Sequence, residues 1–129
     1  MQERVAPQGE EQRRLANAWL DEGVRLDDAE RFADQALALS RDRGERGGEI
    51  WALWLQGEIA FRRGPDVIEL AAERYEQALA RATELGMRPL MAHCHAGLAR
   101  AVGAEDHLAC ATALYREMEM TFWLSRANA

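Results

Sequence analysis

One segment of the sequence recurs along the chain. Residues 36–44 read ALALSRDRG, residues 78–86 read ALARATELG, and residues 111–118 read ATALYREM. The spacings, 42 and then 33 residues, are typical of helix-pair repeats, in which small residues let neighbouring helices approach closely. One pair cannot bury its apolar face alone, so such units stack. The recurrence therefore predicts a helical repeat whose function lies in a surface rather than in a catalytic triad.

Length and composition agree with a small all-α protein. The chain has 129 residues and three prolines, and it is rich in alanine and poor in β-branched residues, so a sheet has little to be built from. This length holds about three helix pairs, roughly the fewest that stack stably. We expect residues 1–8, which are mostly polar and include Pro7, to form a flexible tail, and residues 9–129 to form a single helical domain.

Charge and hydropathy restrict the kinds of partner and the cellular environment that we expect for this protein. The net charge of −6 argues against nucleic acid, because phosphate binding needs a basic surface. The longest apolar run covers residues 50–55, far short of the roughly 20 residues that cross a membrane. Two cysteines without a visible secretory segment predict a reduced, cytoplasmic protein.

The apolar pattern gives a coarse map of the helices. We expect one helix over residues 10–24 and another over residues 49–63. Three further helices are expected to begin at Asp27 or Asp28 as a cap, at a capping box of Asp66 and Glu69, and at Pro89. The helix over 49–63 is apolar nearly all round, which predicts that neighbours cover it on several sides. The three glycines at 44, 47 and 48 are expected to form the turn before it.

Residues 49–124 resemble a tetratricopeptide repeat array. Leu53, Gly57 and Ala60, followed by Ala72, Tyr75 and Ala78, fill the small and large positions of such a unit. The closest local likeness lies in residues 45–47, 57–60, 86–90, 92–95, 97–98, 114–118 and 122–124. The resemblance is to the helical C-terminal region of large bacterial signalling ATPases and nucleotide-cyclase-like regulators. It implies an antiparallel helix-pair superhelix of about three units that serves as a scaffold for protein binding in bacterial signalling.

The last unit is shorter than the family pattern. Residues 99–113 are about seven residues short of the repeat period, which is about two helical turns. Either Gly103 makes a tight turn, or one long helix runs from residue 90 to about 123, since a lone glycine costs only about 1 kcal/mol in a helix. We favour the fused helix. It would leave one face uncovered and open to a second copy in an exchanged homodimer. That face carries Leu108, Ala111, Leu114, Tyr115 and Met118.

The resemblance also implies a partner-binding groove on the first helix of each unit. Trp51, Trp54, Glu58, Phe61 and Arg62 fall on that face, and His93 and Arg100 would extend it on the next unit. Exposed aromatics of this kind anchor partners. The alternative is that they pack against the flanking helices, because large aromatics dominate cores as well as interfaces. The preferred function is a non-catalytic module that binds a peptide in this groove, associates with itself, or does both.

A metal-binding or redox-responsive protein is the alternative function. Its candidate ligands are His93, Cys94, His95, His107 and Cys110. Adjacent residues on a helix diverge by about 100°, so a four-ligand site would need two helices or two chains to converge. The family carries a similar His-Cys-His as ordinary packing residues, which favours no metal. The sequence has no glycine-rich phosphate loop, nucleophile elbow or Cys-x-x-Cys motif, so we expect neither enzymatic activity nor a cofactor.

Overall fold

A computed structural model describes residues 26–120 and Trp123 of the chain. Five α-helices follow one another in this range, and a short 3-10 helix, Pro65–Val67, precedes the third. They are α1 Leu26–Arg43, α2 Arg46–Arg63, α3 Ile68–Leu85, α4 Arg88–Val102 and α5 Glu105–Glu117. The described part of the chain has no strand, so the all-α prediction is confirmed there. The expected tail at 1–8 and helix at 10–24 lie outside the described residues.

Successive helices run antiparallel. Three ion pairs join the start of one helix to the end of its neighbour. They are Arg63 with Asp27 at 2.8 Å, Arg46 with Glu84 at 3.4 Å, and Arg88 with Glu117. Pairs this exposed add little stability, because water screens the charges. They report the direction of the helices, and apolar packing supplies the stability.

Helix α2 forms the centre of the core. All six residues from 50 to 55 are buried, and α1, α3 and α4 each pack against this helix. The Phe32 ring of α1 meets Trp51 edge-on with centroids 5.7 Å apart, and Trp54 contacts the His93 ring of α4 at 5.8 Å. The prediction that neighbours cover this helix on several sides is confirmed.

Two glycines make room for one tyrosine where α2, α3 and α4 meet. A Cβ atom on Gly57 of α2 would lie 2.9 Å from the Tyr75 ring, and one on Gly97 of α4 would lie 2.4 Å from it. Tyr75 of α3 is fully buried between them. Only glycine allows both helices to approach the ring this closely.

The turn before α2 is tighter than predicted. Gly44 takes the left-handed conformation, with φ of 69°, but α2 already begins at Arg46, so Gly47 and Gly48 lie within the helix. A Cβ atom on Gly48 would lie 2.5 Å from the Ser40 hydroxyl oxygen, so this glycine permits close packing of α1 on α2. The expected capping box is also absent, because no side chain caps the start of α3.

The expectation of one fused helix is wrong. Helix α4 ends at Gly103, which has φ of 67° and donates its N–H to the Ala99 carbonyl at 2.9 Å. Helix α5 folds back on α4 and buries Ala111 and Tyr115. Folding back buries the Tyr115 side chain, which gains about 2–3 kcal/mol. A continuous helix would forgo this gain and would also bear the cost of a glycine in its interior, about 1 kcal/mol.

The hairpin also removes the premise of the exchanged dimer. Of the five residues expected on an uncovered face, Ala111 and Tyr115 are buried within the chain, and Leu108, Leu114 and Met118 are half-buried. The homodimer itself stays a prediction.

Within the described residues, no helix is long and apolar enough to cross a membrane.

Gly103→Ala is expected to destabilise the protein by about 1–2 kcal/mol, because a side chain at positive φ is strained. A Cβ atom at this position meets nothing within 4 Å, so the cost is one of backbone conformation alone. Urea unfolding followed by circular dichroism measures it. Gly103→Asn is the control and should cost less, since asparagine tolerates the left-handed region. Equal stability of the alanine variant and the wild type would contradict the hairpin.

Candidate functional site

A buried carboxylate links three helices. Glu58 of α2 is only 4% exposed. Its Oε2 accepts a hydrogen bond from the Tyr75 hydroxyl of α3 at 2.7 Å and one from the Arg100 guanidinium of α4 at 2.5 Å. A buried carboxylate is tolerated when charge and hydrogen bonds compensate for its lost hydration. The Glu58 network, defined as Glu58, Tyr75 and Arg100, therefore fixes the relative positions of α2, α3 and α4.

The network holds fixed charges rather than a mobile proton. Burial, followed by the nearby Glu58 charge, raises the pKa of Tyr75 well above its usual range, so the phenol stays protonated. Burial alone lowers the pKa of Arg100, but the charge and hydrogen bond of Glu58, together with Tyr75 and Tyr115, outweigh burial and raise that pKa. Arg100 therefore stays a cation and Tyr75 a neutral donor at every physiological pH.

One edge of the network reaches the surface. The Arg100 guanidinium carbon lies 4.9 Å from the centre of the Phe61 ring, a cation–π arrangement. The Arg100 side chain is 43% exposed, and Phe61 and Arg62 are half-buried. We call these three residues the Phe61 patch. The Arg100 guanidinium covers the Phe61 ring, and Arg62 is the next residue at the end of α2. Aromatic and arginine side chains are the residue types that anchor partners most often.

The structure divides the seven residues predicted to bind a partner. Trp51, Trp54, Glu58 and His93 are buried, with Trp54 only 3% exposed, so they pack as the alternative interpretation expected. The other three are the members of the Phe61 patch. The resemblance placed all seven on one groove, but it did not distinguish the buried members from the partly exposed ones.

His93 lies in an aromatic cluster that the sequence pattern did not reveal. Its Nδ1 lies 2.7 Å from the Tyr115 hydroxyl of α5. Its ring also contacts Trp54 and, at 4.6 Å between centroids, Trp123. Trp123 follows the end of α5, so helical periodicity gave no signal for this contact. The cluster joins α2, α4 and α5 through side chains of different elements.

The candidate metal ligands lie in different surroundings. Cys94 is fully buried, and burial followed by the Glu58 charge raises the pKa of its thiol, whereas Cys110 is exposed. Only His95 and His107 meet, with their Nδ1 atoms 2.9 Å apart. Over residues 26–120 and Trp123, no three His, Cys, Asp or Glu side chains are grouped to hold a metal ion.

A cavity of about 210 Å³ lies between α1, α2 and α3. Asp34, Gln56, Leu70 and Arg74 are among the residues that line it. The Gln56 amide donates to Asp34 at 2.9 Å. The sequence did not predict this cavity, because its wall combines residues from three helices and these residues share no regular spacing.

Comparison with known proteins adds no relative. No family model, no curated protein and no solved structure matches the chain. Function is therefore inferred from the geometry of the Phe61 patch and of the network behind it.

Proposed function

We propose that the chain is a non-catalytic protein-interaction module that binds a peptide at the Phe61 patch. The observation that carries this proposal is Arg100, which the buried Glu58 holds above the half-buried Phe61 ring. An ordered, partly exposed guanidinium loses little conformational entropy when a partner binds. The exposed part of this guanidinium suits a carboxylate, and Arg62, the residue after Phe61, adds a second cation at the end of α2.

The chemistry of the patch defines the peptide. An aromatic ring favours an apolar side chain, and two guanidinium groups favour an acidic one. We therefore propose a peptide with an acidic residue next to an apolar residue. The patch is small, so the complex belongs to the weak or transient class of interactions.

The scaffold of this proposal is a tetratricopeptide-like array. The use of small residues at helix contacts supports this scaffold. Gly57 of α2 and Gly97 of α4 both pack against the Tyr75 ring. Gly44 and Gly86, the last residues of the first two recurring segments, also share the left-handed conformation. In this interpretation α2 with α3 forms one unit, and α4 with α5 forms the next.

Selection from a random peptide library displayed on phage tests the proposal. Wild-type protein should enrich peptides that combine acidic and apolar residues. Arg62→Glu should weaken binding of the enriched peptide by tenfold or more, because charge reversal opposes the carboxylate. Phe61→Ala should weaken it similarly.

The matched control is Arg46→Glu. Arg46 lies at the opposite end of α2 with its side chain 61% exposed, so the same charge reversal there should leave peptide affinity unchanged. Circular dichroism confirms that each variant is folded. Failure to enrich any peptide, or equal affinity of Arg62→Glu and wild type, would contradict the proposal.

A further inference from the structure

Two imidazole rings face each other across the α4–α5 hairpin. The Nδ1 atoms of His95 and His107 are 2.9 Å apart, and the ring centroids are 5.1 Å apart with the planes inclined by 36°. The centroid distance exceeds the nitrogen distance by about the width of one ring. The two nitrogens therefore point at each other rather than past each other.

This geometry requires one proton between the rings. Two bare lone pairs at this distance would repel, so one Nδ1 donates its N–H and the other accepts. A first added proton is compatible with the contact, because an imidazolium can donate to a neutral imidazole. A second proton makes both Nδ1 atoms donors and both rings cations, which removes the bond and adds repulsion.

We propose that the His95–His107 pair is an acid-sensitive latch that fastens α5 to α4. His107 lies in the first turn of α5, just after the Gly103 turn, whereas the ion pair of Arg88 with Glu117 closes the far end of the hairpin. Protonation of both rings would release the near end. The release would weaken the packing that buries Ala111 and Tyr115.

Other titratable and charged side chains also lie on the helices that pack around the His95–His107 pair. Glu58 of α2, Tyr75 of α3 and Arg100 of α4 bond to one another. Glu105 and Asp106 open α5 beside His107, Arg116 lies near its end, and Cys94 stays buried on α4. The neighbouring charge that acts on His95 is that of His107.

The direction of the pH effect follows from His95. Burial, followed by the His107 charge, lowers the pKa of His95 below its usual value of 6.5. The closed hairpin therefore binds fewer protons than the open one between that lowered pKa and 6.5. The latch stabilises the hairpin fully above pH 6.5 and is lost as the pH falls through the lowered pKa.

Hydrogen exchange of the α5 amides at pH 7.5 and 5.0, corrected for intrinsic exchange, tests the latch. In the wild type we expect protection of α5 to fall at pH 5.0 by at least tenfold more than protection of α1. The variant in which His95→Leu and His107→Leu are combined replaces the pair with an apolar contact that cannot titrate. This variant should keep α5 protected at both pH values.

The double variant retains His93, so it separates the latch from the other buried histidine. The same loss of α5 protection in this variant and in the wild type would overturn the proposal, as would a wild type without any selective loss. If the double variant does not fold, His107→Gln with proton NMR of the imidazoles replaces it. The pKa of His95 should then return toward 6.5, and an unchanged pKa would overturn the proposal.

Discussion

Gly97→Ala is expected to destabilise the protein by about 3 kcal/mol or more, at or above the upper end of ordinary overpacking. The new Cβ atom would lie 2.4 Å from two carbons of the Tyr75 ring, far inside van der Waals contact. The ring has little room to move, because Gly57 of α2 also lies close against it and its hydroxyl is bonded to Glu58. Urea unfolding monitored by circular dichroism measures the loss.

Gly47→Ala provides the matched control. A Cβ atom at Gly47 would lie 3.5 Å from the Met87 side chain, an ordinary contact, and alanine has the higher helix propensity. This variant should be as stable as the wild type or slightly more stable. Similar stability of the two alanine variants would show that α4 does not approach Tyr75 as the structure places it.

Arg100→Met is expected to cost about 3 kcal/mol. It leaves the Glu58 carboxylate buried without its cation, and removing one partner of a buried pair typically costs about 3–5 kcal/mol. The lower end applies because the Arg100 side chain is 43% exposed and water screens part of the interaction. The free energy of unfolding at pH 7 measures the effect.

A double-mutant cycle separates the interaction energy between Glu58 and Arg100 from the cost of replacing each side chain alone. Glu58→Gln keeps the shape of the side chain and removes its charge, so combining it with Arg100→Met leaves no unpaired charge. The combined variant should lose less stability than the sum of the two single losses. Additive losses would mean that Glu58 and Arg100 do not interact as the structure shows.

Much of the fold was predictable because the pattern is local. Apolar residues nearly all round α2 predicted its enclosure, and Pro89 marked the first turn of α4. The hairpin at Gly103 was not predictable in this way. Helix propensity differs there by only about 1 kcal/mol, and the burial of Tyr115 against α4, which decides between a fused and a folded helix, depends on tertiary contacts.

The candidate site was predictable only in part. The resemblance grouped Phe61 with Arg100, and the structure places the Arg100 guanidinium over the Phe61 ring. It also grouped Trp54 with them, whereas Trp54 is buried against the His93 ring of α4. The contact between His95 and His107 depends on the rotation of α4 relative to α5. No spacing within one helix fixes that rotation, so both histidines were identifiable as candidates but their contact was not predictable.

The most direct test of the proposed function is a map of the amide NMR shifts of the protein as the phage-enriched peptide is added. The proposal predicts that the largest shifts cluster around Phe61 and Arg62 at the end of α2 and around Arg100 in the last turn of α4. Amides near Arg46, at the opposite end of α2, should be unaffected. Shifts confined to the outer face of α5, or the absence of saturable shifts, would contradict a peptide-binding role for the Phe61 patch.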